Sequence, residues 1–306
     1  MEDREEVFIY TDGRVPEHLK EHITHVIVHR SVRSIDDFAF YECPNLLDVR
    51  FHNGARRVGR EAFAHCPSLR HLKMPCVRII EDAAFFDCQQ LMDVDFGNKL
   101  EIIRFAAFSQ CISLRFLKTK TVKEIGVAAF FCCEQLTDAE FGEDLEKVGR
   151  RAFRRCFNLK RIAIPLKKCI LDCDVFNYCE NLVKVDFIGN VHKTVSYLSL
   201  HCWRNDIEEQ IKWINRFLPT ISSSMKTMAL QQWIESIVEK IEFYKIEHCK
   251  LLKEASAELE LALWKTKLEK ESVQNWDKRR REDCRFVCKS NIVIPSVLSF
   301  LTISDE

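Results

Sequence analysis

The chain is short of the residues that make loops. Among 306 residues there are 8 glycines and 7 prolines, too few for a loop-rich fold. It has no excess of charge: Lys plus Arg and Asp plus Glu are 46 each. That balance argues against bulk attraction to nucleic acid or an anionic membrane. No apolar run approaches the ~18–20 residues that span a bilayer. The longest, Ile292 to Ile303, is broken by Pro295. Residues 1–6 hold four acidic side chains and no apolar core, so neither a secretory signal nor a transit peptide is expected there. Dinucleotide, Walker and nucleophile-elbow motifs are missing, and no His-Glu-x-x-His helix occurs among the 10 histidines. Carboxylate pairs such as Asp93 and Asp95 are strand neighbours on an open face, where nothing would desolvate them for acid–base work. We therefore expect no catalysis and no cofactor.

What the chain has in abundance is one phrase, repeated seven times. It reads Ala-Phe, two residues, Cys, two residues, Leu, then an alternation of apolar and polar residues. The phenylalanines are Phe40, Phe63, Phe85, Phe108, Phe130, Phe153 and Phe176. Cys43, Cys66, Cys88, Cys111, Cys133, Cys156 and Cys179 form the second column, and Leu46, Leu69, Leu91, Leu114, Leu136, Leu159 and Leu182 the third. Each column advances by 22 or 23 residues. A fixed period of this size marks a solenoid, in which each unit buries its apolar face only by stacking on the next.

The third copy shows how one coil is built. Ala84-Phe85 opens a tight turn or short helical segment, Cys88 closes it, and Leu91 starts the return. Val94 and Phe96 alternate with Asp93 and Asp95, the period of a strand with one buried face. Gly97-Asn98 suits a turn with positive φ, and Leu100 to Ile103 leads into the next Ala-Phe. Stacked coils would set equivalent strands side by side at ~4.8 Å. Each buried Phe or Leu would contribute roughly 1.5–3 kcal/mol. Ala precedes Phe in six copies, with Val175 in the seventh, which implies a backbone too tightly packed there for a larger group.

These residues resemble the BspA-like class of leucine-rich repeats, whose consensus has the same order of Ala-Phe, Cys and Leu and the same step. The resemblance covers about Ile35 to Phe187. It implies a right-handed, gently curved solenoid with its main strands lining one face, and it carries no catalytic motif. Members include surface adhesins and intracellular proteins without an assigned activity.

The expected fold is a leucine-rich-repeat solenoid of parallel strands followed by an α-helical region. Residues 1–34 are expected to form an N-terminal cap, 35–203 the solenoid with its C-terminal cap, 204–290 a helical, coiled-coil-like region, and 291–306 a tail. Asp206 to Leu218 reads as a short amphipathic helix with Asp206 as N-cap, ended by Pro219. A long helix follows from about Met225 to Glu271, with Leu230, Ile234, Ile237, Ile241, Tyr244, His248, Leu252, Ala255, Leu259 and Ala262 in three- and four-residue steps. It would self-associate, fold back on the shorter helix, or present a stripe to another protein.

Two columns are expected to point outward from the main strands. One is Asp48, His71, Asp93, Phe116, Asp138, Arg161 and Lys184; the other is Arg50, Lys73, Asp95, Lys118, Glu140, Ala163 and Asp186. The plain account is that opposite charges on adjacent strands neutralise each other. The functional account is a protein- or peptide-binding face with Phe116 as an aromatic anchor. A basic patch of Arg150, Arg151, Arg154 and Arg155, enlarged by Lys160, Arg161, Lys167 and Lys168, is either a solvated surface or a site for an acidic partner. Lys278 to Arg281 is compatible with nuclear import or with a solvated helix end. Cys169, Cys173 and Cys179, and Cys284 with Cys288, lack the paired spacing of a zinc site, so no metal is expected. Fifteen cysteines, an odd count, argue for reduced thiols rather than a disulfide framework. The expectation is an intracellular scaffold, cytoplasmic or nuclear, with a protein partner and with homo-oligomerisation through the long helix as one outcome. The alternative is a surface adhesion module.

Overall fold

The computed structural model describes residues 7–189 and 201–274 of the chain. It divides into two compact units, Met1–Ile241 and Glu242–Glu306. Expectations placed on Ile188 to Trp203 as a cap, on Lys278 to Arg281, and on Cys284 with Cys288 fall wholly or mostly outside the described residues.

The first unit is a parallel-strand solenoid of about seven turns, as the period predicts. Each coil carries a main strand, a turn, a two-residue return strand and a second turn at the Ala-Phe. The main strands form a five-stranded sheet, Val7–Tyr10, His25–Val28, Asp48–Arg50, His71–Lys73 and Asp93–Asp95, and a four-stranded sheet, Phe116–Thr119, Asp138–Phe141, Arg161–Pro165 and Lys184–Ile188. The return strands form one six-stranded sheet from Ser34–Ile35 to Lys147–Val148. The stack is continuous on the return side, but the main-strand ladder is interrupted between Asp93–Asp95 and Phe116–Thr119. The sequence period predicted no such break.

The phenylalanine column is a ladder of rings. From Phe40 to Phe153, successive centroids are 5.0–5.4 Å apart, with planes inclined by 2–11°. Phe153 and Phe176 close the series at 6.1 Å and 17°. All seven rings are fully buried, as are the Cys and Leu columns. Tyr10 tops the ladder 5.1 Å from Phe40. Its hydroxyl donates to the Gly13 carbonyl and accepts the Asp36 N–H.

The turn around each Phe is not helical. The residues two before and two after the ring have positive φ in every coil: Phe38 and Glu42, Glu61 and His65, Ala83 and Asp87, and so on to Asp174 and Tyr178. None is glycine. A left-handed conformation costs a non-glycine residue about 1–2 kcal/mol. It turns the N–H groups of alternate residues toward the next coil, where they find acceptors. Thus the N–H groups of Ala83, Phe85 and Asp87 donate to the carbonyls of Phe105, Ala107 and Ser109 at 2.8, 2.8 and 2.9 Å. Three bonds per coil offset the strain of two residues, at about 1 kcal/mol net for each bond. Gly97 does have positive φ, 62°, as expected of its turn. It is also fixed by space, because a Cβ there would lie 2.4 Å from the Pro75 carbonyl oxygen.

The cysteine column does more than fill volume. Each thiol from Cys66 to Cys179 donates to the carbonyl of the Phe in the coil before it, at 3.0–3.2 Å. A buried carbonyl on a packed turn needs a donor, and a thiol supplies one from a side chain small enough for the site. Burial pushes the thiols of Cys66, Cys88, Cys111, Cys133 and Cys156 well above their usual range, and those of Cys43 and Cys179 up to about 12.

Two helices close the C-terminal end. Helix α1 is the four-residue Glu17–Lys20 in the N-terminal region; α2 spans His201–Phe217 and α3 spans Lys226–Gln274. Asp206 is therefore not an N-cap but lies within α2, since the helix begins at His201. Ile207, Ile214 and Leu218 are buried, with Leu230, Trp233, Ile234, Ile237 and Ile241 from α3. Polar side chains take the place of an eighth coil. The Asn215 amide accepts the Val185 N–H at 2.7 Å and donates to the Val185 carbonyl at 3.1 Å, covering the edge of the last main strand. The Thr227 hydroxyl accepts the Phe176 N–H at 2.8 Å, as a neighbouring carbonyl does in the other coils. Gln231 donates to the carbonyls of Leu171 and Asp172. Lys226, 1% exposed, donates to the carbonyls of Cys179, Glu180 and Leu182 at 3.1, 2.8 and 2.7 Å. Its burial lowers its pKa, while the three acceptors match the three ammonium protons.

The described part of the second unit is the continuation of α3 from Glu242 to Gln274. The predicted seam is half-buried at Tyr244, His248 and Leu252 and exposed at Ala255, Leu259 and Ala262. Among the described residues no helix is long and apolar enough to cross a membrane.

Candidate interaction face

The two outward columns exist in the expected register. Asp48, His71 and Asp93 are partners across the first main sheet, as are Arg50, Lys73 and Asp95. In the second, Phe116, Asp138, Arg161 and Lys184 are in line, and beside them Lys118, Glu140, Ala163 and Asp186. Alternation puts the neighbouring Val49, Leu72, Leu117, Ala139, Ile162 and Val185 into the core. The strand break divides the face into Arg50, His71, Lys73, Asp93 and Asp95 on one side and the remaining members on the other. One expectation fails: Ala163 is fully buried rather than outward. It lies in register between the longer Glu140 and Asp186.

Charge on this face is internally matched. Arg50 pairs with Asp48, Lys73 with Asp95, Lys118 with Glu140 and Lys184 with Asp186, at 3.2–4.0 Å, and the His71 ring lies 3.6 Å from Asp93. The tightest group is Arg161, which donates to Asp138 at 2.7 Å and to Asp186 at 2.5 Å. Those two carboxylates raise the Arg161 pKa. Such exposed pairs are worth at most about 1 kcal/mol each, so they set register more than stability. Phe116 stands apart: it is 58% exposed, at the edge of the second sheet beside the break.

The four arginines of the predicted basic patch lean on the turn of the next coil. Arg150 and Arg151 share Asp174, at 3.8 and 3.9 Å. Arg154 and Arg155 lie over the Tyr178 ring, at 5.3 and 5.9 Å. Arg161 belongs to the strand face and Lys168 pairs with Glu239. Of the cysteine cluster, Cys169 and Cys173 are exposed while Cys179 is buried on the Phe153 carbonyl. Among the described residues no three His, Cys, Asp or Glu side chains are grouped to hold a metal.

The columns also start earlier than the phrase does. Val7 precedes His25 and Asp48 in the first, and Ile9 precedes Ile27 and Arg50 in the second. Val7, Ile9 and Ile27 are 49, 60 and 38% exposed. Ile23, Val26 and Val28 lie one period before Leu46, Val49 and Phe51, a half-copy readable from spacing alone. The signal for Ile9 was its place in the same alternation.

Among solved structures, the chain is similar to a T. pallidum leucine-rich repeat protein at 25% identity, over 66% of this chain and 92% of that one, with a TM-score of 0.50. It is also similar to a leucine-rich repeat protein from Bacteroides ovatus at 26% identity, over 55% of this chain, with a TM-score of 0.47. The chain spans 43% of the length of that second protein. No curated protein matches the chain. The family model described as BspA type Leucine rich repeat region matches residues 18–120 and 116–209, in six copies. With well over half the sequence matched and a seven-rung Phe ladder, the chain belongs to the BspA-type leucine-rich-repeat family.

Proposed function

We propose that the chain is a non-catalytic intracellular scaffold that captures a protein partner on its main-strand face, with Phe116 at the centre of the contact. The family's repeats suggest an interaction or surface-adhesion role, and such solenoids are typically non-catalytic. The observation that carries the reading is a large exposed aromatic in a face whose charges are matched among themselves. A partner that covers such a face desolvates one ring for gain and meets charges already paired, which set its orientation more than its affinity. The same matching, with the neutral overall balance, supports a protein partner over nucleic acid. Free thiols among the described residues, three of them at exposed Cys169, Cys173 and Cys249, support a reducing compartment, cytoplasmic or nuclear. The exposed outer part of α3 supplies a second surface, for a partner or for self-association.

The second reading is a surface adhesion module, which membership of the family favours. The test is proximity labelling with the intact chain, compared with Phe116→Glu and with a variant carrying Lys73→Glu, Asp95→Lys and Lys118→Glu. The triple variant keeps the Lys73–Asp95 pair with its polarity reversed. Loss of the same labelled proteins in both variants supports the proposal. An unchanged set from folded variants moves the site elsewhere, and labelling confined to the outside of intact cells favours adhesion.

A further inference from the structure

The sixth Ala-Phe turn is ringed by arginine. Around the buried Ala152 and Phe153, the four outward positions are Arg150, Arg151, Arg154 and Arg155. Their guanidinium groups are poorly supplied with acceptors. Asp174 lies 3.8 and 3.9 Å from Arg150 and Arg151, beyond hydrogen-bond distance. Arg154 and Arg155 rest on the Tyr178 ring, and Arg155 also reaches the Cys132 thiol. The Nε atoms of Arg151 and Arg154 are buried without a hydrogen-bond partner. By contrast Arg57 and Arg104, in earlier coils, each meet Glu81 at 2.9 Å. The other acids close by do not serve the row. Asp172 accepts the Cys173 N–H at 2.8 Å, and the exposed Glu134 and Glu180 pair with none of the four arginines. Buried donors left without acceptors call for a partner.

Beside this row lies a neutral, apolar strip. From Phe105 to Gln110 and from Val127 to Cys132 no residue is charged. Phe105 and Val127 are 54 and 41% exposed. They share a column with Arg150, since the three carbonyls accept equivalent bonds from the N–H groups of Ala83, Ala106 and Ala128. The acids at the other border of the strip are engaged: Asp82 accepts the Phe105 N–H at 3.1 Å and Asp87 faces His65. We infer that this turn surface is a second docking site, separate from the Phe116 face and independent of it, for an acidic segment of a protein partner. A bulky apolar side chain of that segment lies on Phe105 and Val127. Its carboxylates take the open guanidinium donors, which suit bidentate bonds. Coils stack at ~4.8 Å, so Phe105 and Arg150 are ~10 Å apart, about three residues of extended chain. The segment therefore carries its acids about three residues from its apolar anchor. A nucleic acid fits less well, because its phosphates recur along the whole track while the strip offers no cation to meet them.

The experiment selects peptides from a random displayed library on the full chain and measures the selected peptides by fluorescence anisotropy. Phe105→Asp, the pair Arg150→Gln with Arg155→Gln, and Lys99→Glu as a control are measured alongside, each checked for native circular dichroism. Every substituted side chain is exposed, so the fold should hold. The expected consensus is a bulky apolar residue with acids about three positions away. Its affinity should fall about tenfold or more on Phe105→Asp and on the arginine pair, and stay unchanged on Lys99→Glu. Failure to select such a consensus overturns the inference, and so does binding that survives both site variants. A single-stranded oligonucleotide that binds more tightly than the peptides, and is lost on the arginine pair, assigns the site to nucleic acid and also overturns it.

Discussion

The thiol of Cys111 donates to the carbonyl of Phe85, one coil earlier, at 3.2 Å. The same relationship recurs down the column and ties the two most regular features of the sequence to each other. It makes cysteine a bonding residue here, chosen for a donor as well as for size.

Cys111→Ala should therefore destabilise the chain by about 1–3 kcal/mol, the cost of leaving a buried carbonyl without its donor together with lost volume. Cys111→Val should cost more, since it adds bulk to a full site and restores no donor. Urea unfolding followed by circular dichroism measures both. A valine variant as stable as the native chain would reduce the column to simple packing.

The buried thiols make the fold sensitive to alkali. Their folded-state pKa values are raised above the ordinary value of 9.0, with Cys43 and Cys179 at about 12. Tyr10 is likewise raised from 10.0 to about 12, chiefly by burial. A raised value means that the folded state holds its protons more tightly, so the stabilisation is complete below the unfolded value and is lost as pH rises through the folded one. Above about pH 9 each buried thiol removes ~1.4 kcal/mol of stability per pH unit. Seven of them would exhaust a typical ~5–15 kcal/mol within about one to two units. Urea midpoints at stepped pH should fall steeply above 9, and Cys111→Ala should reduce the slope by one proton. A flat profile to pH 11 would contradict the burial of the column.

Lys226→Met keeps an unbranched side chain, shorter by the terminal nitrogen, and deletes three charge-assisted bonds to the last coil. The expected cost is about 2–4 kcal/mol, and it should be local. Amide exchange should accelerate around Phe176 to Val185 while the coils around Phe63 and Phe85 keep their protection, because stacked repeats contact only their neighbours. Uniform loss of protection would mean that the cap holds the whole stack cooperatively.

Much of this architecture was legible in the sequence because a strict period leaves few choices. Once Phe63, Phe85 and Phe108 recur at one interval beside an alternating strand, the ring ladder, the strand register and the outward columns all follow. What stayed hidden depends on partners that a repeat does not display. The left-handed φ of Arg151 or Ala83 is imposed by the bonds of the turn ladder, since neither residue favours it alone. Helix α2 begins before Asp206, and the pattern after Trp203 announces a helix without saying that Asn215 will sit on a strand edge. Ala163 shares the column of Lys118 and Asp95, yet longer neighbours bury it. The recurrence of cysteine itself, at a site that takes a donor as well as a small side chain, was the one overlooked clue to the thiol bonds.

The side chains of Asn215, Thr227, Lys226 and Gln231 together counterfeit one more turn of the spiral. The number of coils is thus written at a single place, where this quartet enters, and not in the repeated units. Excising one complete unit from the interior of the return-strand stack would give a shorter protein that ends as neatly as this one, whereas duplicating the final unit beyond the quartet would leave the addition with nothing to grip.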